Sequence, residues 1–420
     1  MSSDITPATG DVVELEVGPV AHGGHCVARY EGRVVFVRHT LPGERVRARL
    51  TDAGETAKFW RADAVEVLEA SPDRVPSAWP EAGPGGVGGG ELAHVALPAQ
   101  RAWKATVLAE QLQRLARLDL TPEVLAAPGD DGRGGLGWRT RIELVADASG
   151  RAGMRRHRSH DVVPLTSMPL ASDDIAALDL FSARWPAGSR IEAVAPADGS
   201  SALVLVDGAP FDRQRGRPDT RPNARAAVRE QVLLDDRRYE YRVAGAGFWQ
   251  VHREGPALLV REVLRGVGDV EGATVLDLYS GAGLFSLPLA DAVGGSGRVV
   301  GVEGDARAVR DARRNAHDRP QVELHAGDVA DALRGRGGAP VAARADVVVL
   351  DPPRTGAGRG VVDAVAALRP ERIVYVACDP AALARDVALF AAHGWTGLEV
   401  TGYDLFPHTH HLEAVAVLTR

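Results

Sequence analysis

TVLDLYSGAGLFSLPLADAV (274–293) decides the fold. Its first half is a β-rich apolar run and its second half has helical character, with Gly281 and Gly283 at the join. Glycine lets a backbone turn sharply and approach a ligand closely. In a parallel sheet such a strand-to-helix turn sits at the carboxyl edge, where ligands bind. A Gly-x-Gly pair alone is weak evidence, because any tight turn can show it.

The pattern repeats downstream. GRVVGVEG, QVELHAG, ADVVVLDPP, RIVYVACDP and LEVTGYDLF read as strands. GLFSLPLADAV, ARAVRDARRNAH, RGVVDAVAAL and AALARDVALFAAHG read as the helices among them, and HLEAVAVLTR as a closing strand in antiparallel or mixed pairing. Apolar strands separated by helices predict a mostly parallel, doubly wound α/β sheet. Upstream, residues 138–212 look β-rich, with a hairpin turning at Ala148–Gly150. The Arg-rich segment 211–230 reads as an exposed loop, 99–118 as a helix, and the Pro- and Gly-rich 71–100 as a loop or linker. Short strands between Gly, Pro and Asp turns over residues 10–70 predict a β-barrel of about five strands.

Acidic residues stand at the strand tips. Glu303 ends the second strand, 26 residues after Asp277, where a carboxylate can accept from two ribose hydroxyls. Asp328 follows the third strand, placed for an adenine amino group. Three acids at successive tips favour adenosine over a diphosphate. The alternative to this cofactor role is that each caps the helix that follows. Asp351 opens DPPRTGAG (351–358), where two prolines stiffen the loop.

Cys378 ends the fifth strand, just before a helix whose N-terminus favours a thiolate. An isolated cysteine is more often a buried structural one, but a strand tip on the ligand edge is no core slot. Glu413 begins a buried run and needs a reason: a general base, or a salt bridge to an arginine. A thiolate adding to carbon 6 of uracil activates carbon 5 towards a methyl donor, and a base then removes the carbon 5 proton. His408, His410 and His411 form no convincing metal set.

Taken together, these ordered motifs resemble the RNA uracil-5 methyltransferase family over nearly the whole chain. FVRHTLPGERV (36–46) and SPDRVP (71–76) look like a TRAM domain. The resemblance implies a TRAM-like barrel over 9–70, a linker, helix and central β-rich domain over 71–235, and a Rossmann-like class I methyltransferase domain over 236–420. It implies S-adenosyl-L-methionine held by Gln250, Tyr279, Gly281, Glu303, Asp328 and Asp351. Cys378 falls on the nucleophile, Glu413 on the base, and Asp351 joins them as a catalytic residue. Phe248, in the family's FxQ motif (Phe248-Trp249-Gln250), is placed to stack on a flipped base. Many members carry an iron–sulfur cluster on four cysteines. Those places fall here on Trp79, Val87, Gly90 and near Met168, so no cluster is expected.

The totals set bounds. Of 420 residues, 45% are hydrophobic and 25% charged, a globular balance sufficient for two or three domains. Cys26 and Cys378 are the only cysteines, which excludes a disulfide framework. The net charge of −7 excludes a generally basic coat but leaves room for local patches, at Arg155, Arg156, His157 and Arg158 and at Arg213, Arg215 and Arg217. Only two of the 49 basic residues are lysines, Lys58 and Lys104. No apolar run reaches membrane-spanning length and no signal peptide is evident. The expectation is a cytoplasmic, monomeric enzyme acting on transfer or ribosomal RNA. Competing readings are a small-molecule methyltransferase, which would not need the barrel, and an RNA binder without catalysis, which would not need Cys378, Glu413 and Asp351.

Overall fold

Alternation of apolar and polar residues builds the N-terminal unit. The computed structural model describes residues 7–54, 56–157, 159–336 and 338–420. Strands β1 (Val12–Ala21), β2 (His25–Tyr30), β3 (Arg33–Arg38), β4 (Arg45–Asp52) and β5 (Trp60–Glu69) close in the order β1-β2-β3-β5-β4. Val13, Leu15 and Val17 point inward along β1 while the residues between them face out. Closure leaves no free strand edge.

The Pro- and Gly-rich stretch that follows is not a loose linker. It is irregular because few of its residues tolerate a ladder, yet Trp79, Leu92 and Val95 are buried. Helix α1 (Leu97–Gln111) starts on a proline in its first turn and stops short of the expected 118. There the chain widens into a π-turn over Leu112–Ala116, which Arg117 ends in the left-handed region. Trp103 and Val107 of α1 pack into the barrel core.

After β6 (Val124–Ala126) comes a seven-stranded antiparallel sheet: β7 (Arg141–Ala146), β8 (Ala152–Arg155), β9 (Val162–Pro164), β10 (Arg190–Val194), β11 (Leu203–Val206), β12 (Ala209–Asp212) and β13 (Arg217–Pro218), with the short helix α2 (Asp173–Ala176) between β9 and β10. The β7–β8 hairpin turns at Gly150, where φ is +77° and a Cβ would lie 2.6 Å from the Trp185 carbonyl, so only glycine fits. The segment 211–230 is less loop than expected. Arg217–Pro218 pair onto β12, and its end enters β14 (Ala227–Leu234), which forms a hairpin with β15 (Arg237–Ala244). The expected division at 235/236 falls on that hairpin's turn. Val228, Val232, Tyr239, Tyr241 and Val243 pack in the core of the C-terminal unit, so both strands sit with it.

In the C-terminal unit, α3 (Gly255–Val267), to which the sequence reading assigned no helix, precedes the alternating series. This comprises β16 (Thr274–Leu278), α4 (Ser286–Val293), β17 (Arg298–Glu303), α5 (Ala306–Asn315), β18 (Val322–Ala326), α6 (Val329–Arg334), β19 (Val347–Leu350), α7 (Gly358–Leu368), β20 (Arg372–Ala377), α8 (Pro380–Ala392), β21 (Gly397–Asp404) and β22 (Glu413–Thr419). The sheet runs β18-β17-β16-β19-β20-β22-β21-β6. Its first five strands are parallel, and β22 is antiparallel to both neighbours. Helices cover both faces, and a strand such as VVVL in β19 is buried throughout. The fold is the expected doubly wound α/β domain behind a barrel and a central β-rich unit. Strand order reverses between β16 and β19, the point at which such sheets open a crevice.

Candidate active site

A cavity of about 950 Å³ opens at this crevice, and every site residue singled out from the sequence lines it. Parallel strands end on one edge, so five consecutive connections deliver side chains to one place. Tyr279 and Gly281 come from the turn after β16, Glu303 from the tip of β17 and Asp328 from the residue capping α6. Asp351 follows β19 and Cys378 follows β20. Glu413 opens the antiparallel β22 and so begins where its neighbours end. Phe248 and Gln250 arrive from the loop after β15.

The turn after β16 is the most constrained piece. Tyr279 adopts φ +65°, a conformation that costs a non-glycine residue energy, and Gly283 adopts φ +91°. The Gly281 amide donates to Glu303 Oε2 at 3.0 Å, and the Asp305 amide donates to Oε1 at 2.6 Å. Glu303 therefore crosses between two strand tips. Asp328 accepts from the Asp331 amide at 3.0 Å, so it caps its helix as well as facing the cavity. The loop carrying Phe248 is held by the buried Arg141, which donates to the Gly245 and Gly247 carbonyls and pairs with Glu230 at 3.0 Å. Phe248 itself is 72% exposed.

Burial dominates the titration of the floor. It pushes Asp277 and Asp351 up to about 7, with neighbouring carboxylates adding to the effect. It pushes Glu413 well above the usual range, helped by Asp351 and opposed by Arg354. Glu413 Oε1 is buried without a protein partner. Burial, then Glu413 and Asp351, push the Cys378 thiol up to about 12. Burial above all, with two acids facing the sulfur from other strands, works against the thiolate that the α8 N-terminus was expected to favour. Asp379 caps α8 by accepting from Ala382, and its other oxygen lies 3.4 Å from His22 in the barrel's β1–β2 turn.

Charge divides the cavity. Among the described residues Glu303, Asp328 and Asp351 form no ion pair, and neither do Arg139 and Arg354 of the cavity lining, whereas Arg307 of that lining pairs with Asp305 at 3.3 Å. Sequence reading missed Arg139, Arg354, Phe406, Thr409 and His411 as lining residues. Arg354 lay inside the quoted DPPRTG motif and could have been found there; the others carry no local signal.

The three histidines do not converge. His408 is buried against Gln100 and the Gly134 carbonyl, His410 faces Glu91 at 3.3 Å, and His411 lines the cavity. Burial, with His410 and Arg354, lowers His411 to about 3, so it stands neutral. Among the described residues no group of three or more His, Cys, Asp or Glu is arranged to hold a metal ion. Trp79, Val87 and Met168 lie in one apolar cluster, with Gly90 against the Trp79 ring. Of the basic runs, Arg155, Arg156, Arg213, Arg215 and Arg217 are exposed, and Arg158 lies outside the described residues. No helix among the described residues is long and apolar enough to cross a membrane.

A family model described as tRNA (Uracil-5-)-methyltransferase matches residues 223–420, and a TRAM domain model matches residues 8–65. An uncharacterized RNA methyltransferase of Streptomyces coelicolor is 44% identical over 442 residues, covering 99% of this chain and 94% of that one. One from Bifidobacterium longum is 41% identical and covers 97% and 96%. The Pyrococcus abyssi tRNA (uracil-54, C5)-methyltransferase, solved in complex with S-adenosyl-L-homocysteine, superposes with a TM-score of 0.69 at 22% identity, covering 97% of this chain and all of that one.

Proposed function

Because the chain belongs to the family of RNA methyltransferases that the tRNA (uracil-5-)-methyltransferase model describes, we propose that it methylates carbon 5 of a uridine in transfer or ribosomal RNA, with Cys378 as a covalent nucleophile. The observation that carries this reading is that Cys378, Asp351 and Glu413, from three separate strand ends, line one cavity together with an acidic wing.

That wing fits S-adenosyl-L-methionine. Glu303, Asp328 and Asp351 offer carboxylates without a cation partner, which suits a sulfonium and the donors of adenosine. Gln250, Tyr279 and Gly281 complete the surrounding wall. When bound, the cofactor supplies a methyl group as a sulfonium electrophile and leaves as S-adenosylhomocysteine.

The protein's own residues do the rest. Cys378 passes its proton to solvent and adds through sulfur to carbon 6 of the uracil, and the ring's π electrons move to an enolate activated at carbon 5. Carbon 5 then takes the methyl group. Glu413, held buried and basic among other acids, accepts the remaining carbon 5 proton. The enolate re-forms, the carbon–sulfur bond breaks, and the 5,6 double bond returns with Cys378 restored. Phe248 stacks on the extruded base, and Arg354 offsets the negative charge around Cys378 and Glu413. In this reading the TRAM barrel binds the RNA together with the central sheet, which contributes Glu143 and Met154 to the cavity wall.

Nucleoside mass mapping tests the reading. RNA from cells lacking the gene is expected to lose 5-methyluridine at one position, restored by the wild type and not by Cys378→Ala. Loss of a different methylated nucleoside, with 5-methyluridine unchanged, would overturn it.

A further inference from the structure

Resting on that reading, we propose that the end of the cavity formed by Trp79, Met154, Met168 and Leu170 is a subsite for a second unstacked nucleobase, a neighbour of the target uridine in the same RNA. None of these residues is needed for methyl transfer, yet all line the same continuous cavity as Cys378.

Residue choice is the first observation. The chain has three methionines, and apart from Met1 both face this end. Thioethers adapt to flat rings and make favourable sulfur–aromatic contacts, so a pair of them beside a tryptophan suits a base of either size. Trp79 is 1% exposed, and its indole N–H has no hydrogen-bond partner in the protein.

Charge names the occupant. Arg139 lines the same end, lies 5.6 Å from the Trp138 ring centre and forms no ion pair among the described residues. An apolar slot beside an uncompensated guanidinium fits a base with its backbone phosphate. Continuity points the same way. A neighbouring nucleotide is tethered to the target, and sequence-specific RNA readers splay such bases onto aromatic and apolar surfaces.

The test couples RNA and protein. The probe is a stem-loop around the uridine that the wild type methylates in RNA from cells lacking the gene, with the base removed at one loop neighbour at a time. One abasic position is expected to weaken wild-type binding and kcat/KM between about 5- and 100-fold, the range for one stacked base. In the Met154→Ala/Met168→Ala variant the same abasic position should cost less than about 2-fold. Equal losses in the two proteins at every position would overturn the subsite, while methylation of the intact probe would leave the reading of the active site standing. A wild type that binds no RNA would overturn both. Met154→Ala alone, at a half-buried position, repeats the comparison without disturbing the core, and S-adenosylhomocysteine affinity reports that the cavity is intact.

Discussion

Lys104→Met perturbs the loop that carries one wall of the cavity. Lys104 is fully buried on α1, with its ammonium 2.5 Å from Asp404 Oδ1 and 3.0 Å from the Phe406 carbonyl. Asp404 stands at the end of β21, and the loop beyond it brings Phe406, Thr409 and His411 into the cavity and leads into Glu413. Gln100, one turn earlier on α1, fixes His408 in the same loop. Removing the ammonium strands Asp404, whose Oδ2 already lacks a partner. Breaking one side of a buried ion pair costs about 3–5 kcal/mol. For a chain of 420 residues unfolding as one unit that is a fall in Tm of roughly 3–6 °C. Lys104→Arg is expected to destabilise too, although it keeps the charge and arginine replaces lysine almost everywhere else in this chain. A guanidinium brings five donors to an enclosed site offering two acceptors. Lys104→Met/Asp404→Leu should recover most of the loss, since an apolar pair strands no charge. Thermal unfolding followed by circular dichroism reads these differences. A Lys104→Met protein within about 1 kcal/mol of the wild type, with unchanged turnover, would refute the anchoring role.

Three further outcomes follow from the site. With its thiol near 12, Cys378 in the free enzyme should react with iodoacetamide at pH 8 on the order of a thousandfold more slowly than a free cysteine, and about tenfold faster for each pH unit above that; alkylation at the free-thiol rate would contradict the burial of Cys378 beside Glu413 and Asp351. Asp351 releases its proton near 7, and only its ionised form attracts a sulfonium. Titration calorimetry should therefore show S-adenosylmethionine affinity rising with pH through 6–8 and levelling above, with a smaller rise for uncharged S-adenosylhomocysteine; parallel profiles for the two ligands would count against that contact. Glu413→Gln should slow turnover by about 100-fold or more and accumulate a methylated RNA–protein adduct, visible on a denaturing gel, because proton removal precedes release of the sulfur; normal turnover without adduct would remove Glu413 from the base role.

Much of the fold was legible because parallel strands repeat one signal: an apolar run, a tip residue, a helix. Glu303, Asp351 and Cys378 stand out as candidates because each occupies the same place in that repeat, whereas Tyr279 is named only by the family resemblance. What escaped lies in pairings that sequence distance hides. Lys104 meets Asp404 across 300 residues and Arg141 meets Glu230 across 89, and neither leaves a local pattern. The β14–β15 hairpin escaped because its arginines mask the alternation of Val228, Glu230, Val232 and Leu234. Strand β6 is three residues long and pairs only because α1 places it beside β21. The raised Cys378 thiol has no local signal either: its helix is adjacent in sequence, whereas the burial that chiefly opposes ionisation, and the acids near β19 and β22 that add to it, are set by the fold.

The proposed chemistry turns on a covalent bond between Cys378 and carbon 6 of the target base. A stem-loop substrate carrying 5-fluorouridine at the target tests it directly, since fluorine at carbon 5 cannot leave as a proton and the adduct is trapped. Peptide mass spectrometry after incubation with S-adenosylmethionine should find one RNA nucleotide, with one added methyl group, on the peptide containing Cys378. Methylation of natural RNA with no trapped adduct, or an adduct on Cys26 or any other residue, would contradict the account.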